Sequence, residues 1–278
     1  HTTGSDGLLS PDEVAKWYSD RGYDFLAITD HHVQSKCAIA HGGLLLIPGE
    51  EVNDPGHMVC LNAGGTIGLK GLPMQEALDL CIKAGGLVVI SHPYWSGLSS
   101  AQLLKLKGYT AIEVFNRACV NLIDKGYSLV HWDDMLNEGA RVWGVASDDS
   151  HFKPSHGEVA GHAWIMVDSA ELKSDNILEA LKAGRFYASS GPEIKSVTVE
   201  NDVIKVVTSP VKTVWFHGQA WWGKRIQAAE GQEITSAEYF TGEKLLKYIR
   251  IECVDARGMT AWSNPLFIKP VKEEKANA

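Results

Sequence analysis

Histidine and carboxylate residues recur in this 278-residue sequence directly after short apolar runs, a placement suited to metal chemistry. Asp30 and His31 follow the run Tyr23 to Thr29, Glu51 follows Ile47-Pro48-Gly49, His92 follows Ile90-Ser91, and Asp149 and His151 follow Ala146-Ser147. His1 and Asp6 sit in the opening His-Thr-Thr-Gly-Ser-Asp-Gly, and His57 opens a further apolar run. Imidazole nitrogens mixed with carboxylate oxygens suit Zn, Mn or Fe, and the scarcity of placed Cys argues against a structural thiolate site. So many ligands imply two or three divalent ions, because a catalytic ion takes three or four protein ligands and keeps a position open; a bridging carboxylate is then expected. Closely spaced ions lower the pKa of a shared water, so a metal-bridging hydroxide becomes available near neutral pH and no Ser or Cys nucleophile is required.

Taken singly, these residues have plainer readings. A histidine after a strand is commonly a hydrogen-bonded rim residue, Glu51 alone could be a solvated loop carboxylate, and Asp6 before Gly7 could be a turn residue. Their coincidence at corresponding strand edges favours metal binding.

The elements that must position them alternate. Ser10-Pro11-Asp12-Glu13 is a helix start, with Ser as N-cap, Pro in the first turn and acids at the positive end of the dipole. Strand-like runs at Tyr23–Thr29, Leu44–Ile47, His57–Leu61, Leu87–Ile90, Ala111–Phe115 and Val142–Ala146 are interspersed with helical stretches near Met74–Ala84, Leu122–Leu136 and Asn176–Ala183. Such alternation predicts parallel strands joined by crossovers, in a barrel or an open doubly wound sheet, with the active site at the carboxyl ends of the strands. After Gly191-Pro192 the texture changes to short alternating runs (Ser196–Glu200, Ile204–Thr208, Thr213–His217, Tyr248–Cys253), which read as antiparallel strands. Two domains are expected, 1–191 and a small β-sandwich-like unit over 192–278, with Val271 to Ala278 as a frayed tail.

An apolar fraction of 45% is ordinary for a globular α/β protein, and no apolar stretch is long enough to cross a bilayer. The formal charge of −8 argues against an extended nucleic-acid surface and favours a small-molecule substrate, which can still be phosphorylated if bound cations dominate the local field. Five scattered cysteines, Cys37, Cys60, Cys81, Cys119 and Cys253, are expected as reduced and mostly buried thiols, in keeping with a cytoplasmic placement. The chain opens on His1 rather than Met, so a trimmed N-terminus is expected and export stays compatible with the sequence.

These motifs resemble the PHP (polymerase and histidinol phosphatase) family over about residues 1 to 190. His-Thr-Thr-Gly-Ser-Asp-Gly is similar to the second half of that family's H-x-H-x-x-x-S-D-G opening, whose first histidine would lie two positions before His1. Thr29-Asp30-His31 matches its T-D-H, Pro48 to Glu51 its P-G-x-E, His92-Pro93 its H-P, and Asp149 to His151 its D-x-H. The resemblance implies a distorted (β/α)7 barrel with one metal on His1, Glu51 and Asp149, a second on Glu51, His57 and His92, and a third on Asp6, His31 and His151. Glu51 is then the bridging carboxylate, and Glu51, His92, Asp149 and His151 are the expected catalytic residues. His32, His156 and His162 have weaker claims. Phe186 to Pro192 together with Ala261 to Pro265 is similar to the branch that includes carbaryl-type hydrolases.

The leading expectation is therefore a phosphoesterase that cleaves a small phosphomonoester or phosphodiester, with Arg117 as a phosphate contact. A rival is carbamate or carboxylic ester hydrolysis on the same centre. A different class is a non-catalytic carbohydrate- or protein-binding module, for which Trp215, Trp221, Trp222 and Trp262 would supply stacking surfaces.

Overall fold

The computed structural model describes residues 1–52, 56–242 and 246–268; the expected tail at Val271 to Ala278 lies outside them. Helix α1 (Pro11–Ser19) starts with a capping box, in which Ser10 Oγ accepts from the Glu13 N–H and the Glu13 carboxylate accepts from the Ser10 N–H at 2.8 Å. It buries Val14, Ala15 and Tyr18.

Six strands then form one sheet in sequence order: β1 (Phe25–Ile28), β2 (Leu45–Val52), β3 (Met58–Leu61), β4 (Leu87–Ile90), β5 (Ala111–Asn116) and β6 (Trp143–Ser147). The β1–β2, β4–β5 and β5–β6 pairs are parallel, whereas β3 runs antiparallel to both its neighbours. The expectation of parallel strands throughout is thus corrected at β3. Only five residues separate Val52 from Met58, too few for the dozen or more that a parallel crossover needs. The reversal also brings His57, just before β3, to the rim where β2 and β4 end.

Among the described residues the hydrogen-bond ladder does not close into a (β/α)7 barrel. The next strands, β7 (Trp164–Val167) and β8 (Phe186–Ser189), pair with each other and join a different sheet, giving a curled open sheet in a mixed α/β fold.

Helices α2 (Met74–Lys83), α3 (Ser100–Lys105), α4 (Arg117–Ile123), α5 (Leu129–Asn137) and α6 (Ser174–Ala183) complete the first part. The single helix expected over Leu122–Leu136 is two. Asp124 ends α4 in the left-handed region at φ 58°, and at Gly126 a Cβ would lie 2.2 Å from the Asn116 carbonyl oxygen, so the chain turns there on glycine. Ile90, Ile112, Val114, Trp132 and Met135 are buried beneath these helices. Trp262 joins the same core, stacked on Phe115 with ring centroids 5.3 Å apart, and offers no surface for a ligand.

The remaining strands are β9 (Ile194–Glu200), β10 (Val203–Val211), β11 (Thr213–Gly218), β12 (Gly223–Gln227), β13 (Ile234–Phe240), β14 (Tyr248–Val254), β15 (Thr260–Ser263) and β16 (Leu266–Phe267). One sheet has the order β13-β10-β9; the other runs β12-β11-β14-β15-β8-β7, with β16 also on β14. Val206, Phe216, Tyr239 and Ile251 pack between them. Position 191 falls inside a shared sheet, since β8 before it pairs with β15 after it. Among the described residues no helix is long and apolar enough to cross a membrane. The five cysteines are free, and all but Cys37 are buried.

Candidate metal centre

The rim at the ends of β1, β2, β4 and β6 gathers His1, Asp6, His31, Glu51, His57, His92, Asp149 and His151 into one cluster. Glu51, buried at the end of β2, occupies its middle. Its Oε2 lies 3.4 Å from His1 Nε2 and 3.3 Å from His31 Nδ1, and its Oε1 lies 3.6 Å from His57 Nδ1 and 3.5 Å from His92 Nε2. Asp149 Oδ1 is 3.1 Å from His1 Nε2, and Asp6 Oδ1 is 3.3 Å from His151 Nε2 and 3.8 Å from His31 Nε2. His1, Asp6, His31 and His151 form one candidate ligand group, and His31, Glu51 and His57 another.

Most of these separations exceed a good hydrogen bond and match another geometry. Two ligand atoms each about 2.1 Å from a tetrahedral ion lie roughly 3.4 Å apart. Two buried ring nitrogens in the cluster, His1 Nδ1 and His57 Nδ1, have no hydrogen-bond partner. Buried polar atoms are rarely left so, and a divalent cation would satisfy nitrogens facing carboxylates. The residues therefore fit such ions.

A second layer fixes the first. His92 Nδ1 meets Ser96 Oγ at 3.1 Å, which turns Nε2 toward Glu51, and His151 Nδ1 meets the Asp149 carbonyl at 2.9 Å, which turns its Nε2 toward Asp6. Buried Glu113 accepts from the His92 N–H at 2.8 Å, from Asn116 Nδ2 at 2.9 Å and from Ser147 Oγ at 2.6 Å. The second Asn116 amide hydrogen reaches Asp149 Oδ2 at 3.1 Å. Asp30 is buried and accepts from the Thr2 N–H at 2.6 Å and Ser5 Oγ at 2.6 Å, tying the opening segment down so that His1 and Asp6 face the cluster.

Two of the converging residues sit in the left-handed region, His92 at φ 27° and Asp149 at φ 53°. Each such non-glycine conformation costs about 1–3 kcal/mol and persists where the surroundings dictate it. Both side chains are aimed inward by that turn at the strand end.

Adjacent acids divide their work. Asp149 enters the cluster, while Asp148 accepts from the Gly161, His162 and Ala163 N–H groups at 2.6, 2.8 and 2.7 Å and from the Tyr18 hydroxyl at 2.7 Å. Glu51 and Glu50 split in the same way, with Glu50 capping the Ile67 N–H at 2.6 Å.

The electrostatics are strongly coupled. Burial opposes charge on His1, but the hydrogen bond to Asp149 and the nearby carboxylates raise its pKa to about 9. Burial likewise opposes charge on His92, and Glu51 with Glu113 raises it to about 9. Burial pushes Glu51 upward, yet the hydrogen bond from His92 and the charges of His92 and His1 hold it at about 2. Burial pushes Glu113 up. His31 and His151 are lowered, by burial first.

Arg117 opens α4 immediately after Asn116, and its buried Nε has no hydrogen-bond partner. Of the weaker claims, the His156 ring lies against His151 with centroids 4.9 Å apart and the planes tilted by 59°, and the His32 N–H donates to the Glu51 carbonyl at 2.9 Å. The His162 N–H belongs to the Asp148 cap. Sequence reasoning did not single out Lys153, whose Nζ pairs with Asp6 Oδ2 at 2.8 Å, or Cys119, whose sulfur groups with His92 and Asp149.

No protein-family model and no curated protein matches the chain. Among solved structures it is similar to a two-domain protein from Bacteroides vulgatus containing a predicted PHP-like metal-dependent phosphoesterase, with a TM-score of 0.52 and 16% identity over 96% of this chain and 92% of that one. What the two share is the fold. The likeness spans both parts of the chain.

Proposed function

We propose that this protein is a metal-dependent hydrolase of small phosphomonoesters or phosphodiesters. The observation that carries the reading is the Glu51 carboxylate, whose two oxygens face four imidazoles at 3.3 to 3.6 Å. In this reading one ion is held by His1, Glu51 and Asp149, a second by Glu51, His57 and His92, and a third by Asp6, His31 and His151. Bound divalent ions supply Lewis-acid charge and lower the pKa of a coordinated water to near neutrality.

The chain's own residues do the rest. Glu51 would be shared between two of the ion positions, Asn116 holds the Asp149 carboxylate, and Glu113 anchors the His92 backbone N–H. In this reading Arg117, whose buried Nε lacks a partner, is the residue assigned to a phosphoryl oxygen. The similarity of fold to a protein containing a predicted metal-dependent phosphoesterase supports the same reading.

The test is parallel turnover of p-nitrophenyl phosphate, bis(p-nitrophenyl) phosphate, p-nitrophenyl acetate and 1-naphthyl N-methylcarbamate after addition of Mn or Zn. Metal-dependent release from a phosphate ester is expected. Turnover confined to the carboxylic ester or carbamate would overturn the phosphoesterase reading and keep the hydrolase.

A further inference from the structure

A second concave site lies away from the metal cluster, between α5 and the outer face of β11 and β12. It encloses about 330 Å³, at the small end of the range for small-ligand sites. Alternation along β11 puts Val214 and Phe216 into the core and Trp215 and His217 on the outer face, half-buried. The turn after β11 carries Trp221 and Trp222, with ring centroids 6.4 Å apart and an interplanar angle of 31°. Trp221 is 85% exposed, the largest exposure of any large hydrophobic side chain described.

This turn is held rather than loose. The Gly218 N–H donates to the Trp222 carbonyl at 2.8 Å, the Trp222 N–H to the Gln219 carbonyl at 3.1 Å, and the Ala220 N–H to Asn137 Oδ1 on α5 at 3.3 Å. At Gly223 a Cβ would lie 2.5 Å from the Phe216 carbonyl oxygen, so only glycine permits the hairpin to close here. The tryptophans are therefore presented on a turn pinned at both ends and across to α5.

The polar lining points to an uncharged ligand. Asp133 is taken by Arg250, which also pairs with Glu252. Lys224 Nζ donates to the Glu238 carbonyl at 3.3 Å, and Arg225 bonds Gln227 while its guanidinium lies 5.6 Å from the Trp215 ring centroid. Each charged group that lines the cleft thus has a polar partner within the protein, a guanidinium for Asp133 and neutral oxygens for Lys224 and Arg225. His217 Nε2 is buried without a hydrogen bond, 3.6 Å from Glu252 Oε1, and burial with the nearby Arg250 lowers its pKa, so the imidazole adds no positive charge to the cleft wall.

Rigid indole faces beside neutral polar groups match the chemistry of a sugar, whose ring has an apolar C–H face and a hydroxyl edge. We propose that the α5–β11–β12 cleft binds an uncharged saccharide, with Trp221 and Trp222 as the stacking platform and the Asn137 amide as a hydroxyl contact. This assignment does not depend on what the metal cluster does. Pre-formed presentation of the indoles limits the ordering cost of binding.

The experiment is saturation-transfer NMR together with tryptophan fluorescence titration of the full chain, in buffer containing EDTA, against cellobiose, maltose, xylobiose and N,N′-diacetylchitobiose. At least one should give a saturable signal, weakened at least about tenfold in the Trp221→Ala/Trp222→Ala double variant with unchanged circular dichroism. Three results would each overturn the proposal: no saturable signal from any of the four sugars, an equal signal in the double variant, or a wild-type signal that appears only when EDTA is omitted. Concentration-dependent self-association in sedimentation velocity that the double variant abolishes would assign the tryptophans to a contact between copies of the chain instead.

Discussion

Glu51 Oε1 meets His92 Nε2 at 3.5 Å although their strands, β2 and β4, are not neighbours. Strand β3 lies between them and runs the opposite way, delivering His57 to the same carboxylate oxygen. Three consecutive strands thus converge on one side chain, and the predictions below follow from that convergence.

Asn116 serves two elements at once, as N-cap of α4, where its Oδ1 accepts from the Cys119 N–H at 2.9 Å, and as the amide that holds Asp149. Asn116→Ala should lower stability by about 1 kcal/mol. It should also weaken metal affinity by about 10- to 100-fold, as loss of an outer-layer partner does. Thermal unfolding and metal titration read the two effects separately.

Adjacent aspartates should fail in different ways. Asp148→Ala leaves three backbone N–H groups and the Tyr18 hydroxyl without their acceptor, so stability should drop by on the order of 3 kcal/mol or more. Asp149→Ala should cost metal and turnover, and the metal-free protein should lose less stability than in Asp148→Ala, through the missing contacts with His1 and Asn116. Denaturant unfolding with and without EDTA distinguishes the two.

In the metal-free protein, His1 and His92 have pKa values raised to about 9 from 6.5. A raised folded-state pKa contributes stability that is fully present below pH 6.5 and is lost as pH climbs through about 9. His31 and His151, whose values are lowered, act the other way and weaken the fold as pH falls below 6.5. Glu51, held at about 2 against 4.5, adds a further loss below pH 4.5. The EDTA-treated protein should therefore lose thermal stability between pH 6.5 and 9, and metal should abolish that alkaline decline by taking the ring nitrogens in their neutral form. An unfolding midpoint flat over that window in EDTA would contradict the coupling.

Arg117→Ala should raise KM for phosphate esters by roughly 10- to 100-fold, the range of one charge-assisted hydrogen bond of about 1.5–3 kcal/mol. Turnover of an uncharged ester should be nearly unaffected. Equal effects on both substrates would place Arg117 in the scaffold rather than at a phosphate.

Much of the cluster was legible in the sequence because His31, Glu51, His57, His92, Asp149 and His151 follow or open apolar runs, and strand ends on one rim bring such residues together, whereas His1 and Asp6 stood out only through the opening motif. Asp149 was separable from Asp148 by its spacing to His151. The supporting layer was not legible: Glu113 lies inside the continuously buried strand β5, and only its approach to His92 at the end of the neighbouring strand β4 reveals its task. The direction of β3 could have been inferred from the five-residue link before it. Gly126 was the local signal for the break between α4 and α5, overlooked because the apolar spacing continues past it. Strands β7, β8, β12, β13, β15 and β16 were missed because they are short or largely exposed and carry little apolar alternation. Barrel closure was implied by the family resemblance; strand–helix alternation left a barrel and an open sheet both possible, because it does not encode whether the last strands pair with the first sheet or with another.

The central claim is that Glu51 organises a centre of two or three divalent ions, and elemental analysis of wild-type and Glu51→Gln protein purified without chelator tests it most directly. The account predicts two or three equivalents of Zn, Mn or Fe per wild-type chain. In Glu51→Gln it predicts loss of at least one equivalent with the fold intact, and phosphate-ester turnover down by at least about 100-fold, in line with several kcal/mol of lost charge stabilisation. A wild-type protein with no bound metal, or a Glu51→Gln protein with the wild-type metal content and rate, would contradict it.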